Sequence, residues 1–140
     1  MIVLDTNVIS ELRRPETNPA VERWFRGVDF ETVYLCAPVL MEQSYGAEYF
    51  LLRSGSAKYV ERLDRIIAEF GARILAFDLD ASKLAGMLRA ARASAGRPIS
   101  VGDAMIAAIC IAHGATLATR NVRDFVELDL KLVNPFEAEA

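Results

Sequence analysis

Apolar residues occur along this chain both in short runs and at helical spacing, a mixture that is typical of α/β proteins. Five short apolar runs predict β-strands at residues 1–4, 33–36, 74–77, 116–118 and 130–133. Apolar residues recurring every three or four positions predict helices at 19–26, 38–53, 56–69, 81–94 and 100–112. Strands that alternate with helices or helix pairs predict an α/β fold with a mostly parallel central sheet of about five strands.

Residue types at the ends of these segments support the boundaries. Pro38 is suited to the first turn of its helix, and Ser56 and Ser100 are suited to cap theirs. Gly71 and Gly114 follow the last apolar positions of two helices, where glycine commonly ends a helix. The chain contains no internal repeat, low-complexity tract or linker, so we expect residues 1–140 to form a single domain.

Composition narrows the class of protein. Hydrophobic residues make up 53% of the chain and the mean hydropathy is +0.21, which disfavours disorder. No apolar run approaches the roughly 18 residues of a membrane helix, and the N-terminus lacks the basic start of a signal peptide. Cys36 and Cys110 stand in apolar surroundings outside any C-x-x-C pair, which favours buried free thiols. We therefore expect a cytoplasmic protein without a membrane partner.

The net charge of −3 and pI of about 5.2 disfavour a nucleic-acid partner at face value. However, all but three of the 16 basic residues are arginine, the side chain that best matches phosphate oxygens. Acidic residues gathered in one place would also be offset by bound cations. Overall charge therefore does not decide the partner.

Two acidic residues stand where a strand ends or a helix begins. Asp5 follows the first predicted strand, where it either caps a short helix starting at Thr6 or joins a site at the carboxyl edge of the sheet. Glu42 lies in the first turn of the helix opened by Pro38, where it complements the helix dipole or faces a site. Gly46 lies one turn later and would let another backbone or a ligand approach Glu42.

Asp103 carries the one charge in the apolar run 101–112, a helix that we expect to be buried. A carboxylate there must be paired, hydrogen-bonded or metal-bound, because an isolated buried charge is too costly. The spacing of Ser100 and Asp103 also fits a variant capping box, which is compatible with a ligand role. Asn121 follows the fourth strand as a turn residue or part of a site. Asp124 is a further negative group or the end of a helical turn.

These polar groups are expected to meet at one edge of the sheet. Asp5 and Asn121 follow strands, whereas Glu42 and Asp103 begin helices, and in a parallel sheet both positions lie on the same edge. Converging carboxylates repel one another unless a cation lies among them. Mg²⁺ or Mn²⁺ suits oxygen ligands of this kind.

These residues, in this order, resemble the motifs of the PIN-domain family, especially its VapC-type toxins and the related FitB-like group. Residues 3–11, the pair Glu42 and Gly46, residues 103–108 and residues 118–125 resemble the family's four successive motifs. Each motif alone is weak, but their combination is specific and spans essentially the whole chain. Two positions depart from the pattern, because Gln43 replaces an aliphatic residue that is common there and Asn121 replaces an Asp of some members.

The resemblance implies a three-layer α/β/α fold and a Mg²⁺- or Mn²⁺-dependent endoribonuclease that serves as the toxin of a toxin–antitoxin pair. A metal held by Asp5, Glu42 and Asp103 would activate water to hydrolyse an RNA phosphodiester bond. The further site residues that the resemblance implies are Asn121 as a catalytic residue, Thr6 and Asp124 in support, and Arg120 and Arg123 at substrate phosphates. One metal or two would fit.

The resemblance also implies a homodimer and inhibition by a cognate antitoxin protein. An apolar antitoxin segment carrying an arginine could lie in a groove formed by Tyr45, Tyr49 and Leu52. The alternative is that these residues are ordinary core residues. Core residues are the commoner case for apolar side chains at helical spacing, so the core interpretation is favoured.

Other functions remain as alternatives. RNA cleavage by paired histidines is excluded because His113 is the sole histidine, and no glycine-rich phosphate loop is present. A phosphohydrolase with Asp5 as nucleophile is disfavoured because Asn7 stands where such enzymes usually carry a second aspartate. A catalytically weak PIN-fold binding module is the non-enzymatic alternative, with Asn121 as its indication.

Overall fold

The computed structural model describes residues 1–137. In this part of the chain six helices and five strands follow one another largely in the predicted order. The strands are β1 (Ile2–Leu4), β2 (Val33–Cys36), β3 (Ile74–Leu75), β4 (Thr116–Ala118) and β5 (Lys131–Val133). The helices are α1 (Thr6–Leu12), α2 (Pro19–Arg26), α3 (Ala37–Ser54), α4 (Lys58–Phe70), α5 (Leu79–Ser94) and α6 (Val101–His113). The α/β prediction is confirmed.

The five strands form one sheet in the order β3-β2-β1-β4-β5, and every strand pairing is parallel. The sheet is therefore fully parallel. The chain builds outward from β1 through β2 to β3, then returns to place β4 on the other side of β1. Strand order thus reverses between β1 and β4, and α/β sheets bind ligands beyond the carboxyl ends of strands at such a point.

Several boundary signals act as expected. Pro38 lies in the first turn of α3, and the Ser100 hydroxyl accepts a hydrogen bond from the Asp103 backbone N–H at 3.1 Å. Gly114 ends α6 with a φ of +62°, which a glycine adopts without strain. At α4, Ala57 and not Ser56 occupies the cap position, but the Ser56 hydroxyl accepts a hydrogen bond from the backbone N–H of Lys58, the first residue of the helix, at 3.4 Å.

The core lies between the sheet and its helices. Val3, Leu4, Leu35 and Leu117 of the sheet are buried in one hydrophobic cluster together with the α6 residues from Ile106 to Cys110. Helices α3 and α4 pack together, as do α5 and α6, which gives the three-layer α/β/α arrangement. Cys36 and Cys110 are buried free thiols, as predicted.

One predicted core assignment was wrong. On α3, the exposed fractions are 71% for Tyr45, 49% for Tyr49 and 84% for Leu52, and 60% for neighbouring Met41. Helical spacing shows that these residues share a face, but it does not show which way that face points. We call Met41, Tyr45, Tyr49 and Leu52 the α3 stripe.

Between residues 1 and 137, none of the helices combines the length and the apolar character that crossing a membrane requires.

Candidate active site

Asp5 lies at the carboxyl end of β1, where strand order reverses. Its backbone N–H continues the pairing with β4 through the Ala118 carbonyl at 2.9 Å, and its side chain is 5% exposed. One carboxylate oxygen caps α1 by accepting a hydrogen bond from the Thr6 backbone N–H at 2.8 Å. The other accepts from the Thr119 hydroxyl at 2.7 Å and from the Asn7 amide at 3.5 Å. Asp5 therefore caps α1, and its carboxylate lies at the carboxyl edge of the sheet.

Thr119 and Asn7 are two supporting residues that the sequence analysis missed. Thr119 is fully buried directly after β4, and its hydroxyl also accepts a hydrogen bond from the Asn121 backbone N–H at 3.0 Å. The Asn7 side-chain oxygen accepts from the Arg120 backbone N–H at 3.0 Å. These bonds join the ends of β1 and β4. A polar residue directly after β4, matching Asp5 after β1, was the available signal.

Glu42 is exposed on α3 and faces the start of α6. Its carboxylate accepts a short hydrogen bond from the Thr6 hydroxyl. A Cβ built on Gly102 would lie only 3.3 Å from the Glu42 Oε1 atom, so the glycine leaves room for this carboxylate. Gly46 was expected to let another backbone or a ligand approach Glu42, and a Cβ there would have no neighbour within 4 Å, so no other backbone lies against it. Gly46 instead lines an open groove beside Glu42.

Asp103 lies in the first turn of α6 and is partly buried, less so than the apolar helix pattern led us to expect. Its pKa is raised above the ordinary value of 3.8, chiefly by burial and then by the negative charge of Asp5, with smaller contributions from Asp124 and Glu42. Burial likewise raises the pKa of Asp5, and the charge of Glu42 adds to the rise. Asp5, Glu42 and Asp124 therefore all lie within electrostatic range of Asp103.

The remaining predicted residues lie on the β4 side. Asn121 is exposed and makes no capping hydrogen bond with its side chain. It lines a cavity of about 440 Å³ together with Arg123 and Asp124. The Arg120 guanidinium lies 4.6 Å from the centre of the Phe136 ring and lines the same cavity. The negative charge that acts on Asp103 from this side is that of Asp124.

The donor set fits a hydrated divalent cation better than a fully protein-coordinated one. Among residues 1–137, no three Asp, Glu, His or Cys side chains are close enough together to surround one ion directly. The converging groups are nevertheless all carboxylate oxygens, and their repulsion calls for positive charge. Mg²⁺ retains several waters and binds through one or two carboxylates, so it suits this looser cluster.

Comparison with known proteins gives concordant matches. Residues 2–131 match the PIN domain family. The chain is 38% identical to the VapC ribonuclease Y4jK of Sinorhizobium fredii, covering 98% of this chain and 99% of the relative. It is also 38% identical to the toxin FitB of Neisseria gonorrhoeae, covering 97% and 99%. The solved structure of FitAcB from Neisseria gonorrhoeae aligns with a TM-score of 0.87 at 35% identity, over 98% of this chain and 99% of that one.

These matches span the strands and helices that carry Asp5, Glu42 and Asp103, and they extend over nearly the full length of each relative. The chain therefore belongs to the PIN-domain family, among the VapC and FitB toxins of toxin–antitoxin systems, a family of ribonucleases.

Proposed function

We propose that this protein is a Mg²⁺- or Mn²⁺-dependent endoribonuclease that hydrolyses RNA phosphodiester bonds. The observation that carries the proposal is the convergence of Asp5, Glu42, Asp103 and Asp124 at the point where strand order reverses. The negative charges of these neighbours raise the pKa values of Asp5 and Asp103 and so destabilise the folded chain, which a structural role does not explain. A cation-dependent reaction does explain it.

Asp5, Glu42 and Asp103 would hold the metal, directly or through water. The bound ion would supply an acidified water as nucleophile and positive charge at the phosphate in the transition state. The chain's own residues position the carboxylates for this task. Three hydrogen-bond donors fix Asp5, the Thr6 hydroxyl orients Glu42, and the Ser100 cap fixes the first turn of α6 that carries Asp103.

The β4 side supplies the remaining proposed roles. Asn121 would orient water or substrate, and Asp124 would add negative charge beside Asp103. Arg120 and Arg123 line the cavity next to Asn121 and would contact substrate phosphates from there. Asp5 and Asp103 lie deeper in the cluster, and Asp124 lies at its edge. Carboxylates spread in this way would accommodate one metal ion or two.

The test is cleavage of total RNA by the purified protein with Mg²⁺, with Mn²⁺ and with a chelator. We expect cleavage with either ion, none with the chelator, and at least a hundredfold loss in Asp103→Asn, whose fold circular dichroism should show intact. Asp129→Asn, which removes an exposed charge just before β5, is the matched control. Full activity of Asp103→Asn would contradict the proposed site. A wild-type protein that binds RNA without cutting it would favour the binding-module alternative.

An aspartate-nucleophile phosphohydrolase has less support from the geometry. Both carboxylate oxygens of Asp5 accept hydrogen bonds, and the side chain is almost fully buried. Such a carboxylate is held in place and shielded from an incoming phosphate. Failure to trap a phosphorylated Asp5 during turnover would agree with this reading.

The partner is proposed to be a cognate antitoxin whose apolar segment covers the α3 stripe. The stripe exposes Tyr45 and Leu52 by more than two thirds, and large exposed apolar patches mark protein contacts. Leu52→Glu should weaken capture of the antitoxin without affecting RNA cleavage by the free protein. A homodimer and a cytoplasmic location stay predictions, which light scattering and cell fractionation would test.

A further inference from the structure

A groove of about 450 Å³ runs from the carboxylate cluster between α1, α3 and α4. Thr6 and Glu42, where the proposed reaction takes place, line the groove. Phe50, two turns of α3 beyond Glu42, also lines it and packs against Tyr59. The Tyr59 ring with the neighbouring Arg13 and Arg62 is called the far end of the groove. The volume lies within the range of pockets that hold small ligands. The groove is therefore continuous with the site, and arginines outnumber acidic residues along its lining.

The arginines at the far end lack acidic partners. Arg14 pairs with Glu11, but no ion pair joins Arg13 or Arg62 to a carboxylate within residues 1–137. Burial lowers the pKa of Arg13, and the positive charge of Arg62 lowers it further, so the two guanidinium groups face each other's repulsion. An anionic ligand would relieve it.

Arg13 is held in place for such a ligand. Its guanidinium donates a short hydrogen bond to the side-chain oxygen of Gln43, and the Gln43 amide donates to the Ser10 hydroxyl at 3.0 Å. Gln43 is 7% exposed, and the buried Nε of Arg13 has no hydrogen-bond partner among the described residues. Gln43 thus fixes the orientation of Arg13 in the groove. An aliphatic side chain at position 43 could not form this hydrogen bond.

Aromatic rings complete the far end. The Tyr59 ring packs edge-on against Phe50 with centroids 4.8 Å apart. The guanidinium carbons of Arg13 and Arg62 lie 5.7 and 5.4 Å from the Tyr59 ring centre. Arginine forks match phosphate oxygens, and aromatic or guanidinium planes stack on unpaired bases. This combination matches one nucleotide better than it matches an acidic peptide, which has no base to stack.

We propose that this groove binds an unpaired nucleotide next to the scissile bond, with Arg13 and Arg62 on its phosphate and Tyr59 beside its base. The proposal rests on the proposed function, because it is RNA bound at Glu42 that would extend into the groove.

The test compares Arg62→Gln with Arg65→Gln, which removes the same charge from an exposed position of the same helix outside the groove. Binding of a fluorescent single-stranded RNA is measured by anisotropy in chelator, over a range of salt concentrations. We expect Arg62→Gln to weaken binding about tenfold and to lower the slope of log K against log salt by about 0.7. Arg65→Gln should change neither quantity appreciably.

Two further readouts make the outcome decisive. RNA carrying a photoreactive uridine should crosslink to Tyr59, and Arg62→Gln should raise KM for cleavage while leaving kcat unchanged. Equal effects of both variants, or no effect of Arg62→Gln, would overturn the proposal. Weaker binding of a polyglutamate peptide with unchanged RNA binding would overturn it in favour of a protein ligand. Because binding is measured without metal, an absence of cleavage would refute the proposed function separately.

Discussion

At the scale of single residues, the site depends on hydrogen-bond donors that hold the Asp5 carboxylate in place. Burial raises the pKa of Asp5, whereas the bonds from Thr119, Thr6 and Asn7 lower it. The Thr119 hydroxyl is the largest of these opposing influences and reaches Asp5 from the neighbouring strand end. Thr119 is therefore a positioning residue for Asp5.

Replacing Thr119 with valine should expose this role. The change keeps the shape of the side chain but removes the donor to Asp5, a hydrogen bond to a charged group worth about 1.5–3 kcal/mol. It also removes the acceptor of the Asn121 backbone N–H. We expect the free energy of unfolding to fall by about that amount and the pH profile of RNA cleavage to shift to higher pH. Thr119→Ser retains the hydroxyl and should restore both. A valine variant with the wild-type pH profile would show that Thr119 does not tune Asp5.

Sequence reasoning found the acidic residues but not the residues that hold them. Asp5, Glu42 and Asp103 are conspicuous because charge is unusual beside buried strands and in an apolar helix. Thr119 was missed because its importance depends on β4 pairing with β1, which no local pattern reveals. The role of Asp124 beside Asp103 depends in the same way on the path of the turn after β4.

At the scale of elements, the start of α6 is the part of the fold most closely fitted to the site. Ser100 caps the helix, Asp103 lies in its first turn, and Gly102 between them lies against the Glu42 carboxylate. Gly102 therefore has a spatial reason for being glycine, because a Cβ there would oblige the Glu42 carboxylate to move by a few tenths of an ångström.

A Gly102→Ala substitution should test the fit between Gly102 and the Glu42 carboxylate separately from the stability of α6. The added Cβ would lie 3.3 Å from Glu42 Oε1 and would push that flexible carboxylate aside. We expect kcat to fall roughly threefold with an unchanged or slightly higher melting temperature. Gly86→Ala in α5 is the control, since a Cβ there meets nothing within 4 Å. It should raise stability by up to about 1 kcal/mol with normal activity. Equal activity of the two variants would rule out the proposed fit.

Helices and strands were predicted well where the apolar spacing agreed with the residues that begin or end an element, and less well elsewhere. The segments α3, α5 and α6 were found because apolar spacing and flanking proline, serine or glycine coincide. The helix α1 was left as an alternative role of Asp5, because seven residues give too short a pattern to separate from a loop. The α3 stripe was assigned to the core because periodicity defines a face without its direction.

At the scale of the whole molecule, a net charge of −3 conceals two regions of opposite sign. The carboxylate cluster gathers negative charge at the carboxyl edge of the sheet, and the groove beside it holds Arg13 and Arg62, which form no ion pair among the described residues. Under the proposed function, the arginines would attract a polyanionic substrate, and a bound cation would offset the repulsion from the carboxylates. The overall pI therefore says little about nucleic-acid binding in this protein.

The carboxylate cluster makes the metal-free protein less stable at neutral pH than it could be. The raised pKa values of Asp5 and Asp103 mean that the folded chain holds these protons more tightly than the unfolded chain. The resulting penalty is absent below the ordinary carboxyl pKa of 3.8 and fully present above the raised pKa values of the folded protein. Stability lost through this cluster thus appears as pH rises from 3.8 toward neutrality.

Asp103→Asn should therefore be more stable than the wild type at neutral pH in chelator, and this advantage should shrink as the pH approaches 3.8. Adding Mn²⁺ at neutral pH should raise the melting temperature of the wild type and raise that of the variant much less, because binding to the folded state stabilises it. Urea denaturation across the pH range and thermal melts with and without Mn²⁺ measure both effects, with Asp129→Asn as control. A wild type that matches the variant at every pH and ignores Mn²⁺ would mean that the carboxylates neither repel one another nor hold an ion.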